Sequence, residues 1–400
     1  MNATGFINSR RDLWVMRLYY LIWLGGGGSI GPFMNLFLVR QNLSGTQIGL
    51  MVALGSAAAL VAAPFWTRLS AQNSRPLRLL QISLVLLALA NLLMVSQSVF
   101  LVLTVVFILR VLVSAGITPL SDSLAVRVSE AAGAGFGSIR VWGSLGWAFF
   151  VLGTGALVER AGIQITFWVH AAALSGAALL LFGLRPAGAA RTERKTSLPW
   201  RQVAGTMLRS PVLVGLGVML CINGLANNGV GQFENVYLDQ LGARESIIGV
   251  ANMVGSVIEL PGMLWADSLL RKRNPGTLLL VSVVMTGLLR GLVFFWPSVE
   301  TIILARAITG ISFSFYTIAL IKTICGEAPA EGTATALAIF TVTLPSLINI
   351  LGTPLAGMAF DAVGAHWLYL VALVGYLLGS AALGLGLWKR RQQKQEVIPA

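Results

Sequence analysis

Twelve apolar stretches of about 20 residues, separated by short polar breaks, run through the 400-residue chain. An α-helix rises about 1.5 Å per residue, so about 20 residues cross the hydrocarbon core of a bilayer. The strands of a membrane β-barrel are shorter and alternate apolar and polar residues, a pattern that these stretches lack. Because 56% of the residues are hydrophobic and only 11% are charged, a water-soluble fold is excluded. The sequence therefore predicts an all-α membrane protein.

The twelve predicted helices form two groups of six, separated by a polar segment. The first group is 13–38, 46–68, 77–96, 99–126, 137–158 and 164–184, and the second is 210–238, 246–270, 276–296, 299–321, 333–358 and 365–388. We therefore expect three parts: an N-terminal six-helix bundle at 1–184, a cytoplasmic linker at 185–209, and a C-terminal bundle with a cytoplasmic tail at 210–400.

The distribution of Lys and Arg predicts the orientation in the membrane. If both termini are cytoplasmic, twenty of these residues lie on the cytoplasmic side and only Arg40, Arg160 and Arg244 lie outside. This asymmetry follows the positive-inside rule. The net charge of +13 is then explained by topology and by attraction to anionic lipid, and it does not indicate nucleic-acid binding. We expect a monomer in the bacterial cytoplasmic (inner) membrane, with the lipid bilayer as its surroundings.

The second half repeats features of the first at an offset of 200 residues. Eight identities join the two copies: Asn35, Leu38, Ile48, Gly49, Gly55, Ser56, Leu60 and Leu69 recur as Asn235, Leu238, Ile248, Gly249, Gly255, Ser256, Leu260 and Leu269. Internal repeats of this kind are typical of secondary transporters, in which the substrate site lies between the repeats. The repeat therefore predicts two pseudo-symmetric six-helix bundles and a small-molecule substrate.

Several local strings resemble the major facilitator superfamily, and within it the lactose permease group with its nucleoside and phenylpropionate proton symporters. The string from Phe136 to Trp147, Phe-Gly-Ser-Ile-Arg-Val-Trp-Gly-Ser-Leu-Gly-Trp, resembles the fifth-helix signature of that group. Asp122 stands where sugar permeases of the group carry Glu, and Gln232-Phe-Glu-Asn235 resembles the group's seventh helix. The resemblance implies the major facilitator fold and substrate contacts from Gln232 and Asn235.

Two departures from this group bear on proton coupling. The cytoplasmic turn from Trp66 to Arg75 lacks the acid of the superfamily's Gly-x-x-x-Asp-Arg pattern. The tenth helix of lactose permease carries a His and a Glu used in proton transfer, and the matching stretch here, Arg306 to Phe313, has neither. Proton coupling is therefore expected to use other acids.

The residues of the first half predict a substrate site of their own. Arg140 and Trp147 are seven residues apart, which is two helical turns, so they share one helix face. Asp122 follows the kink expected at Pro119 and is predicted to reach Arg140. A carboxylate beside a planar guanidinium suits hydroxyl groups or an anion, and an indole suits the apolar face of a ring. The alternative is a structural ion pair with a lipid-facing Trp147.

Glu259 is the most informative charge among the second-half helices. It lies near the middle of the predicted span 246–270, where an ionised carboxylate costs about 2.5–3.5 kcal/mol or more. Such a group needs a partner, a proton or a function. Arg290 is the predicted partner, and we expect Glu259 to be the main proton-coupling acid. The alternative is that Glu259 only anchors Arg290.

Two further charges lie near the outer ends of their predicted helices. For Glu234 the sequence leaves two interpretations open, a second proton-coupling acid or a solvated group at the membrane surface. Arg306 is equally compatible with a functional position and with a side chain that extends to the surface.

These features favour a secondary transporter over other classes. No catalytic constellation, metal-ligand spacing or Gly-x-x-x-x-Gly-Lys loop is present in the sequence, so we expect no enzyme activity, no metal, no cofactor and no ATP-driven transport. The leading hypothesis is a proton-coupled symporter that imports a small hydroxylated or aromatic solute, such as a sugar, nucleoside or aromatic acid, by alternating access. The alternatives are a proton-driven exporter of amphipathic compounds and, in another class, a non-transporting membrane protein or membrane enzyme.

Overall fold

The computed structural model describes residues 9–72, 76–184, 205, 207–329 and 332–396, and each regular element among them is a helix. The first eight are α1 Ser9–Ile30, α2 Met34–Arg40, α3 Gly45–Gln72, α4 Pro76–Val95, α5 Phe100–Ser114, α6 Ile117–Ala131, α7 Gly137–Ala161 and α8 Ile165–Leu180, the last followed by a 3-10 turn at Leu181–Gly183. The others are α9 Pro211–Gln240, α10 Glu245–Leu270, α11 Pro275–Phe295, α12 Val299–Glu327, α13 Thr333–Ala338, a π-helical segment at Ile339–Thr343, and α14 Leu344–Glu396. Most of the predicted linker at 185–209 lies outside the described residues.

Eleven helical segments of the described chain are long and apolar enough to cross a membrane. The last of them, Thr333–Gln393, has 61 residues, about three times the length that one crossing needs. Gly364 interrupts it with φ 79° and ψ 170°, a conformation that glycine adopts without a steric penalty. This segment therefore contains the two predicted crossings 333–358 and 365–388. The predicted all-α membrane fold is confirmed.

The chain divides into two compact units. The first contains 9–43, 54–184 and 243–253, and the second contains 44–53, 207–242 and 254–396. Each unit thus takes most of its residues from one of the predicted halves and a short segment from the other.

Each unit has its own packed interior and an apolar outer surface. In the first unit Tyr19, Leu84 and Ile139 are fully buried, whereas the side chain of Phe149 is 73% exposed. In the second unit Leu279 is fully buried. An apolar surface of this kind is stable only when lipid covers it.

Close helix packing in the first unit depends on Gly146 of α7. A β-carbon there would overlap the carbonyl oxygen of Leu21, and one at Gly25 would lie 2.6 Å from the carbonyl carbon of Gly146. Small residues allow this approach of two backbones, which is a main source of helix association in membranes. Gly25 of α1 and Gly146 of α7 therefore form part of one packing surface.

We expect Gly146→Ala to destabilise the first unit by about 1–3 kcal/mol, the usual cost of overpacking. Gly153 lies on the same helix, and a β-carbon added there would have no neighbouring atom within 4 Å. Gly153→Ala is the matched control and should be neutral or slightly stabilising, because alanine favours a helix by up to about 1 kcal/mol over glycine. Thermal unfolding in detergent measures both. Equal melting temperatures for the two variants would show that the contact at Gly146 is not needed.

The kink expected at Pro119 lies just before it, at residues 115–116, where a short turn separates α5 from α6. The break leaves the carbonyl of Leu112 without its regular helical donor, and the indole Nε1–H of Trp66 donates to that oxygen at 2.7 Å. In lipid such a carbonyl must be satisfied by protein, because water is absent. Trp66 thereby caps the end of α5, just before α6, the helix that carries Asp122.

Candidate functional site

Asp122 lies on α6, half-buried, and its partner is a tyrosine of α1. The hydroxyl of Tyr20 donates to Oδ1 of Asp122 at 2.5 Å. Beside it the hydroxyls of Tyr19 and Ser121 are 2.7 Å apart. Arg140 is exposed, and within the described residues no ion pair joins it to Asp122. The predicted contact of Asp122 with Arg140 is therefore wrong in this structure. Sequence reasoning missed Tyr20, because Tyr20 and Asp122 are 102 residues apart and their contact depends on which helices are neighbours.

Trp147 is half-buried and packs against α1. A β-carbon at Gly27 would lie 3.3 Å from Cζ3 of the indole, and one at Gly31 would lie 3.1 Å from Cη2. The glycines therefore make room for the ring, which favours a positioned side chain over a lipid-facing one. Its role in substrate binding remains a prediction.

In the second unit Glu234 is buried and forms ion pairs with two arginines. It is 9% exposed, which rules out the solvated surface position as its place in this structure. Nη1 of Arg290 is 3.1 Å from Oε2 of Glu234, and Nε of Arg306 is 2.6 Å from Oε1. Each carboxylate oxygen thus accepts a hydrogen bond from a different guanidinium, an arrangement in which the loss of one partner leaves a buried charge uncompensated.

Two asparagines extend this cluster along α9. Arg290 donates from Nε to Oδ1 of Asn227 at 3.0 Å, and Arg306 donates from Nη2 to Oδ1 of Asn235 at 2.7 Å. The side chain of Arg306 is 15% exposed, so it does not extend to the membrane surface. The sequence did not indicate that Arg290 and Arg306 share one carboxylate, because this depends on which helices are neighbours.

Glu259 and Gln232 are both half-buried. Glu259 lies two residues before Pro261 inside α10, and its backbone carbonyl accepts a hydrogen bond from the hydroxyl of Ser314 at 2.8 Å. The predicted pair of Glu259 with Arg290 is replaced by the pair of Glu234 with Arg290.

Next to the charged cluster the second unit contains an open cavity of about 340 Å³. Four helices, α9, α11, α12 and α14, contribute its walls. The polar and aromatic lining residues are Asn223, Asn227, Thr286, Arg290, Thr309, Phe313, Tyr316, Asn349 and Tyr376. The cavity lies within the range of ligand pockets in size, and it combines apolar rings with a few polar groups as such pockets do. Arg290 both lines the cavity and holds Glu234.

The sequence analysis missed most of these lining residues because they are uncharged. A signal was present: Asn223 and Asn227 are four residues apart, as are Thr286 and Arg290. Polar residues with this spacing form a stripe on one face of a helix. In a membrane helix such a stripe faces protein or a cavity rather than lipid.

The wall formed by α14 begins with an irregular turn. The π-helical segment Ile339–Thr343 ends two residues before Pro345, which lines the cavity. Proline lacks an N–H and would clash with the carbonyl four residues earlier in a regular helix. A π turn removes this clash, and such turns are frequent at functional sites.

Comparison with known proteins agrees with this architecture. A family model described as "MFS_1 like family" matches residues 13–371. The chain is 30% identical over 277 residues to maltose permease of Geobacillus stearothermophilus, covering 68% of each protein. It is 24% identical over 389 residues to the uncharacterized transporter YwbF of Bacillus subtilis, covering 97% of this chain and 96% of the relative.

More distant similarities are to a multidrug resistance protein and to a solved transporter structure. The chain is 23% identical over 294 residues to multidrug resistance protein MdtG of Citrobacter koseri, covering 71% of this chain and 72% of the relative. The crystal structure of nucleoside transporter NupG matches with a TM-score of 0.79 and 14% identity, over 95% of this chain and 99% of that one. That likeness shows the fold alone. From the match over 13–371, the chain belongs to the MFS_1-like family and is a multi-pass membrane transporter of the major facilitator superfamily.

Proposed function

We propose that the protein is a proton-coupled symporter that imports a small hydroxylated or aromatic solute by alternating access. The observation that carries the proposal is the cavity of the second unit, in which Asn223, Asn349 and Thr309 stand beside Phe313 and Tyr316. Amide and hydroxyl groups match the hydroxyls of a solute, and rings match its apolar face. The names of the relatives, maltose permease and nucleoside transporter NupG, fit this chemistry. The proposal includes a monomer in the bacterial cytoplasmic membrane with both termini inside.

The solute is proposed to contact side chains of both units. Asp122, Arg140 and Trp147 contribute from the first unit, as the sequence predicts, and Gln232 and Asn235 contribute from the second. Arg140 is exposed and has no ion pair within 4 Å among the described residues. A guanidinium in this state is available for a solute oxygen, and its planar fork can hold two oxygens at once.

Proton coupling is proposed to run through Glu259. Protonating Glu234 would leave Arg290 and Arg306 buried without their counter-charge, a state that costs several kcal/mol. Glu234 and Arg290 therefore take part in coupling as fixed charges of the substrate site. Glu259 is half-buried in a proline-containing helix, a position in which exposure can change as the transporter changes conformation.

A second candidate function is proton-driven export of amphipathic compounds. The relationship to multidrug resistance protein MdtG, at 23% identity over 71% of this chain, favours it. The amide and hydroxyl groups of Asn223, Asn349 and Thr309 in the cavity favour the importer, because such groups match the hydroxyls of a solute.

Uptake into proteoliposomes tests the proposed function. A thermal-shift screen against maltose, uridine and 3-phenylpropionate first identifies a solute that stabilises the purified protein. We expect that solute to accumulate against its gradient when a pH gradient is imposed, and to equilibrate only when a protonophore is added. Accumulation that is unaffected by the protonophore would contradict proton coupling.

We expect Arg140→Ala and Arg140→Lys both to weaken binding of that solute and so to reduce the stabilisation that it gives. Lysine does not replace arginine here, because a point charge does not reproduce the two-oxygen fork of the guanidinium. A lost charged hydrogen bond weakens binding by about tenfold or more. Arg160→Ala is the matched control, since Arg160 is an exposed arginine on the same helix. If Arg140→Ala binds the solute as wild type does, Arg140 is not part of the site.

A further inference from the structure

Two consecutive tyrosines of α1 form hydrogen bonds with two consecutive residues of α6. The hydroxyl oxygens of Tyr19 and Ser121 are 2.7 Å apart, and the hydroxyl of Tyr20 donates to Oδ1 of Asp122 at 2.5 Å. Both tyrosine side chains are completely buried in the first unit. A buried phenolic hydroxyl needs a partner of this kind. The two bonds therefore fix α6 against α1 at the position of Asp122.

The ring of Tyr20 is held in place by other aromatic rings. Its centroid lies 5.4 Å from that of Trp23, 5.8 Å from that of Tyr19 and 6.3 Å from that of Phe136, each in an edge-to-face arrangement. Contacts of this geometry are favourable. The hydroxyl of Tyr20 therefore has a fixed position, whereas the terminal torsion of an aspartate on its own is broad.

The two carboxylate oxygens of Asp122 have different surroundings. Oδ1 accepts the hydrogen bond from Tyr20. Oδ2 makes no hydrogen bond with any described residue, and it is not one of the buried polar atoms that lack a partner, so it is accessible from outside the packed interior. Tyr20 has no exposed surface and cannot touch a solute. Any effect of Tyr20 on solute binding must therefore pass through Asp122.

The accessible oxygen of Asp122 determines which solute group it can bind. An ionised carboxylate only accepts hydrogen bonds, so its partner must be an O–H or N–H donor. The anion of an aromatic acid such as 3-phenylpropionate has no such donor and carries a charge of the same sign. A carboxylate whose orientation is already fixed loses less conformational freedom when the solute binds, which strengthens binding.

We propose that Tyr20 is a positioning residue of the solute site, which holds Asp122 by Oδ1 so that Oδ2 accepts a hydrogen bond from a hydroxyl group of the solute. The proposal rests on the proposed contact of Asp122 with the solute. It deepens that proposal by naming the substrate class, a neutral hydroxylated solute such as a sugar or nucleoside rather than an aromatic acid.

Binding of maltose, uridine and 3-phenylpropionate to the purified protein tests this assignment. We expect maltose or uridine to bind, and Tyr20→Phe to weaken that binding about threefold to tenfold, as the loss of one hydrogen bond does. This variant keeps the ring and its aromatic contacts. Tyr19→Phe is the matched control, because it removes the neighbouring hydroxyl, which bonds Ser121, and it should change the affinity much less. Equal affinities of the two variants would overturn the proposal.

A double-mutant cycle separates a positioning role from a general structural role. In an Asp122→Ala protein, Tyr20→Phe should cause no further loss of affinity, because its effect passes through the missing carboxylate. Losses that add in the double variant would show that Tyr20 acts in another way and would overturn the proposal.

Infrared spectroscopy provides a second measurement, which needs neither a solute nor the alanine variant. The difference between the spectra of wild type and Asp122→Asn identifies the carboxylate bands of Asp122. These bands should shift in Tyr20→Phe, because Oδ1 loses its donor, and should stay in place in Tyr19→Phe. Bands that are unchanged in Tyr20→Phe would contradict the positioning role.

The result is separable from the proposed function. If neither maltose nor uridine binds, or if Asp122→Ala binds them as wild type does, both the solute contact of Asp122 and the role of Tyr20 are contradicted. If Asp122→Ala weakens binding and Tyr20→Phe does not, the contact stands and only the positioning role is overturned. Binding that depends on Tyr20, without proton-driven uptake, supports the positioning role and contradicts the coupling.

Discussion

Glu234→Gln is expected to prevent stable folding of the second unit. The substitution removes the negative charge between Arg290 and Arg306 and leaves two buried guanidiniums unpaired. Breaking a buried ion pair by removing one partner costs about 3–5 kcal/mol, which is a large fraction of the stability of most proteins. The yield of monodisperse protein and its melting temperature in detergent measure the effect.

Glu300→Gln is the control for this substitution. Glu300 is an exposed glutamate of the same unit, in the first turn of α12. An acidic side chain there contributes about 0.3–1 kcal/mol, so its replacement should cost no more than about 1 kcal/mol. Adding Arg306→Gln to Glu234→Gln removes one of the unpaired charges and should restore part of the stability. A Glu234→Gln protein as stable as wild type would show that the two arginines are balanced in another way.

Glu259→Gln is expected to abolish proton-driven accumulation while exchange of solute across the membrane persists. Glutamine resembles the protonated acid, so the conformational change no longer depends on release of the proton. Solute accumulation under an imposed pH gradient and solute exchange without a gradient are measured in the same proteoliposomes. The loss of accumulation should be complete, whereas exchange should remain close to the rate of the Glu300→Gln control.

The interpretation of the Glu259 variant depends on its folding. If Glu259 has only a structural role, Glu259→Gln should lower the melting temperature and impair exchange as well. Accumulation that survives in a well-folded Glu259→Gln protein would exclude Glu259 from coupling. Glu234 and Asp122 would then be the remaining candidates.

The membrane fold could be predicted from the sequence because lipid imposes a simple rule. Each crossing needs about 20 apolar residues, and this requirement is local, so the span 276–296 predicts α11 at Pro275–Phe295 almost to the residue. Local irregularities were harder to foresee. The break between α5 and α6, satisfied by Trp66, depends on a neighbouring helix.

The partners of the charged residues could not be predicted in the same way. Glu234 and Arg290 are 56 residues apart, and Glu234 and Arg306 are 72 residues apart. Their contacts depend on which helices are adjacent and on how each helix is rotated about its axis. The hydropathy of the sequence gives information on neither. Position along a helix was also misleading: both Glu234 and Arg306 lie near predicted outer ends, yet protein surrounds them.

The cavity could not be predicted from the sequence for a related reason. Its polar lining consists largely of Asn, Thr and Tyr residues, which are less costly in a membrane than charged residues and therefore less conspicuous. The spacing of Asn223 and Asn227 was the available signal. Their importance depends on the opposing walls of α11 and α12, which only the structure provides.

Proton movement driven by the solute is the most direct test of the central claim, that transport is proton-coupled symport. Proteoliposomes without an imposed gradient receive an excess of the identified solute outside, and the external pH is recorded. In symport, protons enter with the solute, whichever way the protein is inserted, so we predict that the medium becomes more alkaline and that a protonophore abolishes the signal. Solute entry with no change in pH would contradict proton coupling. Acidification of the medium would indicate antiport and favour the exporter.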